Sequence, residues 1–282
     1  MTHAMGAARH AVITGTGSYV PERVLTNADL AARLGVEIEP FVSETLGIRE
    51  RHVCADDEST ADLAEHAARR AMDDAGVDPE SIDLLIVATD TPEFISPATS
   101  SVVQGRLGTT NAGTFDINAG CAGYVTALDV ASKYIRADDR YERVLVVGAY
   151  AMSKYLDYGD KKTATIFADG AGATVIERRA APGVLASELF ADGRLVALWL
   201  WTQVNLSTIR TVMSALDVPM SRAHTIIGKW GYTGAACLPM ALDDAARTGR
   251  LRDGDLVMLT GSGAGLAMGC VAVKWRSGAA RQ

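Results

Sequence analysis

Four short runs of the chain are apolar almost throughout: Leu84–Ala88, Arg143–Val147, Ala197–Trp201 and Asp255–Thr260. A strand without a polar face must be covered on both sides, which is the condition of a parallel sheet sandwiched between helices. The segments between these runs carry helical spacing. Thr60–Ala75 has its apolar residues on one helical face, a cap in Ser59 or Thr60 and a stop at Gly76. Thr99–Leu107, Asn205–Leu216 and Ala235–Thr248 read as further helices, and Ala28–Leu34 as a short one capped by Asn27. Ala11–Ser18 and Gly269–Trp275 are the opening and closing strands, and Thr163–Glu177 reads as two strands around Ala168–Ala173. Strands alternating with helices predict an α/β protein. Arg143–Gly148 has a counterpart in Asp255–Gly261, each followed by a turn and an apolar strand. A duplicated α/β unit accounts for both, dividing the chain into halves at 1–180 and 181–282. Residues 1–10 read as a disordered leader.

Composition excludes several classes. The net charge is −7 without a basic block, which argues against a nucleic-acid partner. No apolar run reaches membrane-spanning length, and the N-terminus lacks the pattern of a signal peptide, so the expectation is a cytoplasmic protein without a membrane partner. Cys54, Cys121, Cys237 and Cys270 lie far apart and show no paired metal spacing, so no metal is expected and free thiols are the default. The histidines are His3, His10, His52, His66 and His224, which leaves imidazole chemistry few places to sit.

Thr114–Leu128 is the stretch with the clearest chemistry. It reads as a short buried strand, a turn of small residues and a helix opening at Cys121. Unpaired N–H groups and the helix dipole at such a junction favour a thiolate. Ala119, Gly120, Ala122 and Gly123 leave room for a substrate beside the sulfur. A thioester-forming nucleophile needs both features; a small buried cysteine would also fit the local pattern.

Several motifs in order along the chain resemble the β-ketoacyl-ACP synthase III family of the thiolase superfamily. They are Gly15–Pro21, Leu46–Arg51, Ile82–Thr89, Asp116–Gly123, Phe167–Ala173 and Gly261–Gly265. The resemblance implies a five-layered αβαβα fold, a homodimer, and a cysteine, here Cys121, that carries an acyl group before condensation with malonyl-ACP. It implies acyl-CoA and acyl carrier protein as partners and no tightly bound cofactor. It also places the N–H of Ala264 in the oxyanion hole with that of Cys121.

The departures from the family pattern are equally specific. His-Gln-Ala-Asn-x-Arg is matched here by Thr202-Gln203-Val204-Asn205-Leu206-Ser207, and Gly-Asn-Thr-Ser by Gly231-Tyr232-Thr233-Gly234. The catalytic set implied is therefore Cys121, Thr202 and Tyr232, with Asn205 retained. A hydroxyl and a phenol donate hydrogen bonds, but neither is a general base at neutral pH. Without an imidazole the helix N-terminus is left to lower the Cys121 pKa. Phe41 stands at the family's adenine-stacking position and Lys161 at an arginine position, while Thr45 and Ser207 replace arginines that meet carrier phosphates. Arg49, Arg51 and Arg210 lie close enough in sequence to compensate, although ordinary surface charge accounts equally for the first two. Glu93 reads as a loop carboxylate and His224 as structural.

Two readings remain open at this level: an acyl-Cys enzyme with weakened or altered condensation, and a non-catalytic partner of a condensing enzyme. One anomaly stands beside them. Ala191-Asp192-Gly193 is followed almost at once by the strand Leu195–Trp201, where a parallel connection needs roughly a dozen residues, usually a helix. The second half is thus expected to be shortened near 193–197, by a natural deletion or by a stretch absent from this sequence; the exposed sheet that a deletion leaves favours the latter.

Overall fold

A computed structural model of the chain describes residues 9–186, 197–263 and 267–276. The first half runs β1 (His10–Tyr19), β2 (Val24–Thr26), α1 (Asn27–Leu34), β3 (Glu50–His52), α2 (Thr60–Ala75), β4 (Leu84–Ala88), α3 (Thr99–Leu107), β5 (Gly113–Ile117), α4 (Gly123–Ala137), β6 (Arg143–Tyr150), the single turn α5 (Lys161–Ala164) and β7 (Gly170–Arg179). The second half runs β8 (Val184–Ala186), β9 (Leu198–Trp201), α6 (Leu206–Ala215), the single turn α7 (Ile227–Trp230), α8 (Cys237–Arg247), β10 (Leu256–Gly263) and β11 (Ala267–Lys274).

The first sheet has the order β1-β7-β6-β4-β5, with β6, β4 and β5 mutually parallel. The second has the order β8-β11-β10-β9, so β8, β11, β10 and β9 take the places of β1, β7, β6 and β4. A single bridge between Trp199 and Ala223 stands where β5 would have its counterpart.

Strand alternation explains the apolar runs. Ile86 and Ala88 face inward, where α4 and α8 are packed between the sheets; Leu198, Leu200, Val257 and Leu259 close this core from the other side. Leu85 and Val87 face outward onto Leu63, Ala67 and Val103 of α2 and α3. Trp199 and Met258 on the outer face of the second sheet meet Ile209 and Met213 of α6. The layers are α, β, α, β and α, the five-layered thiolase-like fold.

Local signals mostly set the element ends. Ser59 caps α2 in a capping box with Asp62, and Gly76 closes it at φ 66°. Other ends differ from expectation. Thr26, not Asn27, caps α1, because the Asn27 amide turns inward and donates to Ile48 O at 2.9 Å. Residues 163–177 hold the end of α5 and one strand, not two strands. Of the expected leader 1–10, Arg9 and His10 are ordered: β1 begins at His10 and Arg9 pairs with Asp139 at 2.7 Å, while residues 1–8 lie outside the described residues.

β8 and β9 lie on opposite edges of their sheet, with β11 and β10 between them. The equivalent passage in the first half, from β1 to β4, uses residues 20–83 and lays α2 on the sheet. Here the passage uses residues 187–197, and among the described residues no helix stands where a counterpart of α2 would. Leu185 and Met268 on this sheet are 43% and 71% exposed. The junction from Gly193 to Ala197 falls almost wholly on residues 187–196, outside the described residues.

Candidate active site

β5 ends at Ile117, whose carbonyl accepts the Thr89 N–H at 3.1 Å. The chain then turns through Gly120 at φ 52° into a 3-10 turn, Gly120–Ala122, and α4 starts at Gly123. Cys121 therefore sits just ahead of the helix, which opens two residues later than the sequence suggests. The end of β10 rests on this turn. A Cβ built on Gly263 would stand 2.8 Å from Ala119 O and 2.9 Å from Cys121 N, so only glycine lets the two strand ends meet. Ala264, assigned to the oxyanion hole, lies outside the described residues.

Tyr232 comes to the sulfur from the second half. Its carbonyl accepts the Ala168 N–H at 2.9 Å, and its ring lies 5.8 Å from Phe167, which lies 6.1 Å from Tyr150. Gly234, at φ 48°, leaves the space into which the Tyr150 ring packs. The Tyr232 hydroxyl is buried without a fully formed hydrogen bond, and it interacts with the Cys121 sulfur.

The electrostatics reverse one expectation. Burial pushes the Cys121 thiol above its ordinary value; the Tyr232 hydroxyl pulls it down, Asp90 pushes it up, and the backbone N–H of Cys121 pulls it down. Desolvation outweighs the helix start, so the resting thiol is not the thiolate predicted from position alone. The Tyr150 and Tyr232 phenols are also pushed up, chiefly by burial, and both serve only as neutral groups. Burial likewise raises Cys237 to about 12.

Thr202 follows β9, and its Oγ1 accepts the Ser262 N–H at 2.9 Å, one residue before the glycine that touches Cys121. It also lines an apolar cavity of about 270 Å³ with Trp201, Ile209, Val212 and Met268, which neither Cys121 nor Tyr232 lines. Asn205 caps α6: its Oδ1 accepts the Thr208 N–H at 2.7 Å and the Ser207 hydroxyl at 2.8 Å. That carbonyl is committed to the helix, and no described contact brings it to the sulfur. Gln203 turns inward and accepts the N–H groups of Ile226 and Ile227 at 2.8 and 3.1 Å. His224 is held by Asp244 at 2.8 Å, a structural role.

A small core of Val42, Leu46, Ala164 and Ile227 gathers the segments that carry the expected carrier-binding residues. Pro40–Leu46 is wound as a π-helix beside α6. Phe41 is 50% exposed there, and Lys161 and Arg210 are exposed on adjoining elements. Arg51 is fully buried, not surface charge: it donates to Thr165 O at 2.9 Å, and burial lowers its pKa to about 10. Compensation by Arg51 is thereby ruled out. Glu93 is half-buried and accepts the Ala61 N–H at 2.9 Å in the first turn of α2, so it is no solvated loop carboxylate. Among the described residues no set of His, Cys, Asp or Glu side chains is placed to hold a metal.

Sequence reasoning passed over Asp90. The available signal was its place just beyond β4, at the carboxyl end of a parallel strand, where α/β sheets gather their functional groups.

Residues 115–193 match the family model described as 3-oxoacyl-[acyl-carrier-protein] synthase III, and residues 195–275 match its C-terminal model. A β-ketoacyl-[acyl-carrier-protein] synthase III of Xanthomonas oryzae pv. oryzae is 35% identical, with 93% of this chain and 98% of the relative covered. That alignment spans 320 positions, whereas 93% of 282 residues is about 262, so nearly 60 positions face no residue of this chain. The crystal structure of the 3-oxoacyl-[acyl-carrier-protein] synthase III of Aquifex aeolicus superposes with a TM-score of 0.89 at 31% identity, covering 94% of this chain and 100% of the other. The priming β-ketosynthase of the R1128 polyketide pathway gives 0.89 at 26% identity, covering 98% and 99%. With its two related sheets, the matching family models and these relatives, the chain belongs to the β-ketoacyl-ACP synthase III family.

Proposed function

We propose that this acyltransferase takes an acyl group from acyl-CoA or acyl carrier protein onto Cys121 and passes it to malonyl-ACP or a related acceptor, with no tightly bound cofactor. The observation that carries this reading is the Cys121 turn itself, set before α4 and pressed by Gly263 of the second half. The sulfur attacks the thioester carbonyl, a new C–S bond forms, and the donor thiol leaves. Negative charge developing on the carbonyl oxygen is met by the backbone N–H of Cys121 together with that of Ala264, the pair that the family resemblance implies.

Condensation is the weak step. Thr202 and Tyr232 replace an imidazole and an amide as donors to the malonyl thioester, and one lost oxyanion-type donor typically costs on the order of a hundredfold in rate. Phe41, Lys161 and Arg210 form the rim at which the adenine of coenzyme A and the carrier phosphates would bind. The protein acts in the cytoplasm as a homodimer, and the dimer is supported by β5, an edge strand among the described residues, and by the exposed Phe94 and Ile95 near it. No described helix is long and apolar enough to cross a membrane.

Intact-protein mass spectrometry after incubation with a panel of acyl-CoAs tests the reading. An adduct lost in Cys121→Ala is the expected result; no adduct with any donor would leave the non-catalytic partner role. Malonyl-ACP decarboxylation is expected to be weak or absent while self-acylation survives.

A further inference from the structure

Thioester formation on Cys121 must move a proton. The thiol loses one, the departing carrier thiolate gains one, and no imidazole stands at this site among the described residues to carry it. Among the matched catalytic positions, Thr202 and Tyr232 are hydroxyl groups, and His224 is bonded to Asp244.

The segment after β4 supplies a carboxylate. Ala88, its last residue, faces inward: a Cβ on Gly123 at the start of α4 would stand 3.2 Å from the Ala88 Cβ. Thr89 and Thr91 turn toward each other, with hydroxyls 3.4 Å apart, and the Thr91 hydroxyl accepts the Ala151 N–H at 2.9 Å. Asp90 lies between them, in the bend just past the strand, near enough to the Cys121 turn for its charge to act on the sulfur. Its Oδ1 is buried and has no hydrogen-bond partner, an arrangement that costs stability unless the oxygen has another use.

We infer that Asp90 is the acid–base group of this site, taking the Cys121 proton as the acyl thioester forms and returning it to the departing thiol. The inference rests on the acyl-enzyme reading above. The bond made is Cys121 Sγ to the acyl carbon, and the bond broken is acyl carbon to donor sulfur. The proton passes from Sγ to the Asp90 carboxylate, directly or over one water, and then to the departing donor sulfur, so Asp90 ends as the carboxylate it began as and the carrier leaves as a thiol.

The groups facing Asp90 suit the task. Cys121 faces it from the turn before α4 and Tyr150 from β6, and both feel its charge. Cys237 and Tyr232 lie beyond them, and burial keeps both protonated at neutral pH. Burial also pushes the Asp90 carboxyl up, toward the range in which a carboxylate is a useful base.

Asp90→Asn and Asp90→Glu test the assignment, with two rates measured at Cys121 across pH: acylation by an acyl-CoA and alkylation by iodoacetamide. In Asp90→Asn, acylation is expected to fall on the order of a hundredfold or more. Alkylation at neutral pH is expected to rise, because the charge that holds the thiol protonated is gone. Asp90→Glu is expected to recover part of the acylation. Equal acylation in wild type and Asp90→Asn overturns the inference, and so does a parallel fall in both rates, which marks a structural role. Wild-type protein that alkylates but takes no acyl group from any donor overturns the acyl-enzyme reading, and the inference falls with it.

Discussion

Cys121 is held between opposing influences, and its neighbours are separable by substitution. Burial and Asp90 keep the proton on the sulfur; the Tyr232 hydroxyl and the Cys121 N–H work the other way. Tyr232→Phe removes one pulling group and nothing else of size. The pH profile of Cys121 alkylation is expected to move to higher pH, and a shift to lower pH would show that the hydroxyl does not donate to the sulfur. Stability is expected to change by less than about 1 kcal/mol, because the hydroxyl has no fully formed hydrogen bond to lose. The positions of Cys121 and Tyr232 were legible from motif order, since glycines and small residues around them mark turns. The direction of the thiol shift was not, because desolvation depends on what packs over the sulfur from elements distant in sequence. Asp90 was obscure for the same reason: one acid between two threonines acquires meaning only when the groups packed around the end of β4 are known.

At the level of elements, the end of β10 and the Cys121 turn form one unit. Gly263→Ala places a methyl group against Ala119 O and Cys121 N, both below 3 Å, with backbone on every side. A loss of roughly 1–3 kcal/mol in chemical denaturation is expected, together with loss of acylation. Retained acylation would mean that the strand end shifts freely without disturbing the turn. A second tie joins α8 to the segment before α7: Asp244 accepts from His224 at 2.8 Å and Lys229 at 2.7 Å. Burial pushes the Asp244 carboxyl up, but the His224 and Lys229 bonds bring it net below its ordinary value. A depressed carboxylate contributes stability above its unfolded pKa, near 3.9, and loses it as pH falls through that value to the folded one. The stability gap between wild type and Asp244→Asn is therefore expected to be open at pH 6 and to narrow below pH 4; a gap independent of pH would remove the ion pair from the account. Element types were readable where apolar period and caps agreed, as in α2 and β4. They were not where a polar side chain had a distant partner, as with Asn27, or where short apolar runs allowed either helix or strand, as at residues 161–177.

The whole molecule is a duplicated fold with unequal halves. α2 and α3 cover the first sheet, while α6 alone covers the second among the described residues. Nearly 60 aligned positions of the Xanthomonas relative lack a residue here, in keeping with the short passage between β8 and β9. The proposed dimer belongs to the other, complete half. Among the described residues β5 pairs with β4 alone, which leaves its outer edge open to a second strand. The loop before α3 lies beside that edge, because Asp116 of β5 accepts the N–H groups of Thr99 and Ser100, each at 2.8 Å. On that loop Phe94 is 54% exposed and Ile95 fully exposed, with no folded-state reason within one chain for two apolar side chains there. Buried against a second copy, such anchors typically contribute about 2 kcal/mol or more when central to an interface. Replacing both Phe94 and Ile95 by Asp is expected to leave the melting transition of the fold in place and to convert the species seen by light scattering from twice 29.8 kDa to 29.8 kDa. A wild-type protein that is already monomeric at micromolar concentration, or a variant whose mass does not change, would remove this edge from the dimer.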